Sequence, residues 1–98
     1  MSQKPYFSVV IPTLNEKKNL PLILKDLIPQ TFSNFEVIIV DGHSDDQTIA
    51  SIKPLIPKLP QVTILNSEIR NVSSQRNLGA SKAKGEYLIF CDADNRLP

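Results

Sequence analysis

A single cysteine, Cys91, occurs in the 98 residues, which excludes an internal disulfide framework and a cysteine-rich zinc site. Excess charge is also missing. Eleven Lys and Arg against ten Asp and Glu leave +1, so no electrostatic footprint for nucleic acid or a membrane surface is present. The longest hydrophobic stretch, Leu20 to Ile28, is interrupted by Lys25 and Asp26 and is far too short to span a bilayer. No signal-peptide core follows Met1, and there is no internal repeat or low-complexity tract. What remains is 41% apolar and 21% charged, the make-up of an ordinary globular domain. Its length suits one domain, residues 1–98. A soluble cytoplasmic location is the expectation.

Four apolar runs alternate with three helical stripes. Residues 7–11, 36–40, 62–65 and 86–91 are rich in Val, Ile, Leu and aromatic residues and read as strands. Between the first two, Leu20, Ile23, Leu24, Leu27 and Ile28 recur at the spacing of an amphipathic helix. Asn19 and Pro21 suit its first turn, and Pro29 helps to stop it. A second helix starts at Asp46 or Thr48 and carries Ile49, Ile52, Leu55 and Ile56; Pro54 within it should kink or shorten it. A third runs over 73–84, capped at Asn71 or Ser73, with Gly85 just past its end. The order β-α-β-α-β-α-β predicts an α/β fold, three-layered, with a parallel sheet of about four strands and right-handed crossovers. Continuous apolar strands predict that both faces are covered.

Three of the strands end in polar clusters. Pro12-Thr13-Leu14-Asn15-Glu16 follows the first, Asp41-Gly42-His43-Ser44-Asp45-Asp46 the second, and Asp92-Ala93-Asp94-Asn95 the fourth. A parallel sheet gathers all carboxyl ends on one edge, where open α/β sheets bind ligands at the reversal of strand order. For the order 3-2-1-4, that reversal lies between strands one and four. Convergent carboxylates repel unless cations or donors compensate. Oxygen-only ligands favour Mg²⁺ or Mn²⁺, either of which would neutralise a diphosphate. A solvated Asp-rich turn is the bland alternative for Asp92-Ala93-Asp94.

Glycine is scarce where other nucleotide folds need it. The turn after the first strand has none, which excludes Gly-x-Gly-x-x-Gly dinucleotide binding and a phosphate-binding P-loop. A receiver domain would want an acidic pair in that turn, and only Glu16 is there. A haloacid-dehalogenase-type phosphatase would carry Asp-x-Asp after its first strand rather than its fourth.

Four segments in order, Val10-Ile11-Pro12-Thr13-Leu14-Asn15-Glu16, Val40-Asp41-Gly42-His43-Ser44-Asp45-Asp46-Gln47-Thr48, Arg76-Asn77-Leu78-Gly79 and Asp92-Ala93-Asp94, resemble the signature of family 2 glycosyltransferases with the GT-A fold. The resemblance implies the Rossmann-like, nucleotide-sugar-binding half of an inverting transferase, with Mn²⁺ or Mg²⁺ on the diphosphate of a UDP- or GDP-linked donor. By position, Pro12, Thr13 and Glu16 would meet the nucleoside, and Asp41 would accept a hydrogen bond from the base. Arg76 would lie beside the nucleotide, Asp92 would serve the sugar nucleotide, and Asp94 would hold the metal. Asp46 reads rather as a helix cap, Asn77 and Gly79 as packing residues, His43 as an exposed loop residue and Cys91 as a small buried hydrophobe.

The family's catalytic base and acceptor-binding segments lie downstream of the Asp-x-Asp motif, so the base is expected beyond Pro98. The chain is then the donor-binding part of a longer enzyme, inactive alone, which at full length could sit on the cytoplasmic face of a membrane. A non-catalytic nucleotide-sugar-binding module is the alternative. Residues 86–91, between Glu86 and Cys91, would form an edge strand through which two copies could associate.

Overall fold

The computed structural model describes residues 5–30 and 34–92. In chain order these form β1 (Phe7–Thr13), α1 (Asn19–Leu27), β2 (Phe35–Asp41), α2 (Thr48–Ile52), a 3-10 segment (Lys53–Lys58), β3 (Val62–Asn66), α3 (Val72–Lys82) and β4 (Tyr87–Phe90). The strands make one sheet in the order β3-β2-β1-β4, and every pairing is parallel. The expected topology and its switch point between β1 and β4 are therefore present.

The two faces are packed differently. On one, α1 buries Leu20, Ile23, Leu24 and Leu27 against Val9, Ile11, Val37 and Ile39, joined by Ile52, Leu59 and Cys91. Each fully buried side chain of this size contributes about 1.5–3 kcal/mol, so this face carries most of the hydrophobic stabilisation. On the other, Val10, Ile38 and Val40 meet α3 through the small or partly buried Leu78 and Ala83. Gly79 lies so close to the sheet that a side chain there would run into Val10 and come within 3.1 Å of Val40. Its packing role is thus as expected.

One sequence reading holds and two need correction. Pro54 does end the second helix early: α2 stops at Ile52 and the chain continues as a 3-10 segment with Pro57 inside it, since proline cannot supply the N–H of an α-helical turn. The third helix stops at Lys82 rather than Lys84 because Ala83 is extended and the Lys84 N–H is drawn 2.6 Å from the Glu36 carboxylate. Only the central strands are covered on both faces. All seven residues of β2 are buried, whereas β3 is partly exposed and all four residues of β4 are exposed. Among the described residues β4 is an edge with β1 as its partner.

Candidate functional site

Thr13 and Asp41 are register partners at the carboxyl ends of β1 and β2. The Asp41 carboxylate is only 4% exposed and is satisfied locally. Its Oδ1 accepts from Thr13 Oγ1 at 3.2 Å and Ser44 Oγ at 2.5 Å, and its Oδ2 from the Ser44 N–H at 2.9 Å. A buried carboxylate requires such donors, and here they fix the turn that leaves β2.

The loops after β1 and β2 are laced together. Asn15, in the left-handed region at φ 54°, accepts from the Asp45 N–H at 2.7 Å and donates its own N–H to Ser44 Oγ at 2.9 Å. The Glu16 N–H meets Thr48 Oγ1 at 3.0 Å, and the Lys17 N–H meets Asp46 Oδ2 at 3.1 Å. Asp46 also accepts from the Thr48 hydroxyl. That bond is the chief cause that holds the Asp46 carboxyl below its ordinary pKa; desolvation opposes it, and backbone N–H donors add to it. Asp46 is therefore a loop tie and not the helix cap expected for it. The cap position belongs to Gln47, which is left-handed and makes no side-chain cap bond.

From the other side, α3 begins at a capping Asn71, whose Oδ1 accepts from the Ser74 N–H at 3.1 Å. One turn on, Gln75 is buried and its Nε2 donates to the carbonyls of Thr13 at 3.0 Å and Val40 at 2.9 Å. It thereby clamps the ends of β1 and β2, and its committed amide nitrogen leaves the carbonyl as the group it can offer a ligand. Just before α3, Arg70 donates from Nε to the Gly42 carbonyl at 2.8 Å and from Nη2 to the His43 carbonyl at 2.5 Å, with Asp45 3.5 Å away.

Arg76 and Asp92 meet at 2.8 Å, both more than a third exposed. The guanidinium lies 5.8 Å from the Phe90 ring centroid, and among the described residues its buried Nε has no hydrogen-bond partner. Cys91, next to Asp92, is buried in the core. Burial first, then the Asp92 and Asp26 charges, raise its pKa, so it is an inert thiol as expected.

These elements surround a cavity of about 230 Å³. It is lined by Pro12 and Thr13 at the end of β1, Leu14 and Glu16 from the turn after it, Arg70, Val72 and Gln75 from the start of α3 and the residues before it, and Asp92 after β4. Of the sequence-expected residues, Pro12, Thr13, Glu16 and Asp92 line it and Arg76 joins through Asp92. Asp41 is not in its lining; it stands behind Thr13. Arg70 and Gln75 were not singled out in the sequence. The only available signal was their position, in and just after the turn that must lead onto the sheet's carboxyl edge. Asp94 lies outside the described residues.

The family model for glycosyl transferase family 2 matches residues 8–98. The chain belongs to this family. It is 37% identical over 89 residues to an uncharacterized glycosyltransferase of Haemophilus influenzae, covering 90% of this chain and 29% of that protein. Among solved structures it matches Staphylococcus aureus TarS in complex with UDP-GlcNAc at TM-score 0.84 and 33% identity, covering 93% of this chain and 27% of that one. It also matches the mannosyltransferase PcManGT from Pyrobaculum calidifontis, in complex with GDP-Man and Mn²⁺, at TM-score 0.86 and 27% identity, over 99% of this chain and 30% of that one. The four-stranded parallel sheet is the Rossmann-like part of their GT-A fold. The chain spans under a third of the length of each of these proteins.

Among the described residues no helix is long and apolar enough to cross a membrane, and no three His, Cys, Asp or Glu are gathered as metal ligands. Asp92 offers hard oxygen donors at the cavity's end, but its Oδ1 is engaged by Arg76. The described residues therefore do not by themselves complete a divalent-cation site.

Proposed function

We propose that this chain binds the nucleoside diphosphate of a sugar donor for an inverting glycosyltransferase. The observation that carries the reading is the cavity at the β1–β4 switch point, where Thr13, Glu16 and Asp92 converge beside Arg70 and Arg76. The nucleotides held by the TarS and PcManGT structures support it.

On this reading, Glu16 and Asp92 accept hydrogen bonds from ribose hydroxyls, and Pro12 and Leu14 supply apolar contact to the nucleoside. Asp41 orders Thr13 and the β2 turn and accepts from the base if Ser44 yields. Arg76, paired with Asp92 at the cavity, lies beside the diphosphate and places a permanent positive charge where the leaving group's negative charge builds up. Mn²⁺ or Mg²⁺, held with Asp94, would add to that charge, and the Mn²⁺ of the PcManGT complex supports this part. Deprotonation of the acceptor hydroxyl, typically worth ~10²–10⁴-fold, is assigned to a group outside residues 1–98.

Calorimetry with UDP and GDP, with and without Mn²⁺, tests the proposal. Saturable binding that Mn²⁺ strengthens is expected, and Asp94→Ala should remove the Mn²⁺ increment. Binding of neither nucleotide under any metal condition would overturn it.

A further inference from the structure

We infer that Asn19 is a positioning residue for nucleotide binding: from outside the cavity it holds the Glu16 carboxylate, so that Glu16 meets the ribose already oriented. The inference rests on the proposed nucleotide reading, in which Glu16 accepts from ribose hydroxyls.

Glu16 stands between two cavities. It lines the one of about 230 Å³ at the switch point. It also lines a second, of about 360 Å³, together with Asn15, Lys17, Lys18, Asn19 and Asp46. Asn19 belongs to the lining of the second alone. A nucleotide in the first cavity therefore touches Glu16 and not Asn19.

Three hydrogen bonds fix Glu16. Its N–H donates to Thr48 Oγ1 at 3.0 Å, and its carbonyl accepts from the Leu20 N–H at 2.9 Å. These two order the backbone but leave the side chain free to turn about its own bonds. The third runs from Asn19 Nδ2 to Glu16 Oε2 at 3.0 Å, and among the described residues it alone holds the carboxylate. Asparagine at the start of a helix ordinarily caps a backbone N–H. Here the cap position of α1 is Lys18, which makes no side-chain cap bond, and the Asn19 amide nitrogen is spent on the carboxylate instead.

An amide suits this task. It donates without carrying charge, so one oxygen is anchored while the carboxylate stays ionised. Oε1 has no partner among the described residues and keeps its lone pairs for ribose hydroxyls. Ordering a long side chain on binding lowers affinity, and a carboxylate tethered beforehand avoids that loss. Without the tether, Lys17 and Lys18 in the second cavity would compete for the carboxylate.

The test measures dissociation constants of UDP and GDP, and of their 2′,3′-dideoxy forms, for the full chain, Asn19→Ala, Glu16→Ala and the double variant. The unaltered chain should favour the ribose forms. Asn19→Ala should lower that preference about fivefold, leave the dideoxy affinities unchanged, and add nothing to the loss in Glu16→Ala. Asn19→Asp keeps the shape but sets a second carboxylate against Glu16, so its loss should exceed that of Asn19→Ala. Ribose and dideoxy forms weakened together in Asn19→Ala, or a further loss in the double variant, would overturn the inference and leave Asn19 a merely structural residue. Equal binding of ribose and dideoxy forms by the unaltered chain would also overturn it while nucleotide binding stands, and needs no variant to fold. Binding of no nucleotide at all would instead sink the functional reading beneath it.

Discussion

The two edges of this sheet hold one buried carboxylate each and use it to opposite ends. At the amino edge, Glu36 is 3% exposed and its Oε2 accepts from Ser8 Oγ and the Lys84 N–H, both at 2.6 Å. Ser8 Oγ in turn accepts from the Gly85 N–H at 2.8 Å, and the edge is sealed by the turn from α3 into β4. At the carboxyl edge, Asp41 is equally buried and equally satisfied, yet of its partners Thr13, the last residue of β1, lines a cavity and Ser44 lies in the turn after β2. Burial of a carboxylate therefore does not mark the site. What marks it is whether the groups that satisfy the carboxylate close the surface or hold it open.

The amino edge should break hardest. Glu36→Ala removes the acceptor of one buried and one partly buried donor and is expected to cost about 3 kcal/mol of stability. Glu36→Gln, which keeps an oxygen in place, should cost less, and urea denaturation distinguishes the two. Gly85→Ala would put a Cβ 2.7 Å from the Phe7 carbonyl carbon and the Ser8 nitrogen. Backbone cannot yield as a side chain can, so about 2 kcal/mol should be lost, read as a lowered Tm, with nucleotide affinity intact in the folded fraction.

The carboxyl edge should answer the other way. Arg76→Ala removes a half-exposed ion pair worth no more than about 1 kcal/mol to stability, but it should weaken UDP binding about tenfold. Calorimetry and thermal melting on the same sample separate the effects. The smallest change concerns Asp46. Its pKa is lowered in the folded chain, chiefly by the Thr48 hydroxyl, so its contribution is present above its unfolded pKa and is lost as pH falls through the folded value. The Tm difference between the unaltered chain and Asp46→Asn should be present near neutrality and vanish in acid.

Element order, the helix α1 stripe and the Asn71 cap were legible because each depends on local periodicity or on a single side chain's chemistry; the strand order was implied by the family resemblance. The length of α3 was not, because the Glu36 carboxylate that pulls Lys84 away is 48 residues distant. The exposure of β4 was half legible: its composition matches a buried strand, and only its place in the sheet leaves it at the edge. At the site, Thr13, Glu16 and Asp92 could be read because they follow strands directly. Arg70 and Gln75 could not, since a loop arginine and a helical glutamine look like surface until α3 is folded onto the ends of β1 and β2.

The most direct measurement is the amide chemical-shift change of the isotope-labelled chain on titration with UDP. The account predicts shifts at Thr13, Leu14, Arg70, Gln75 and Asp92, while Ser8, Glu36 and Gly85 stay still. Shifts confined to the amino edge, or none at saturating nucleotide, would contradict it.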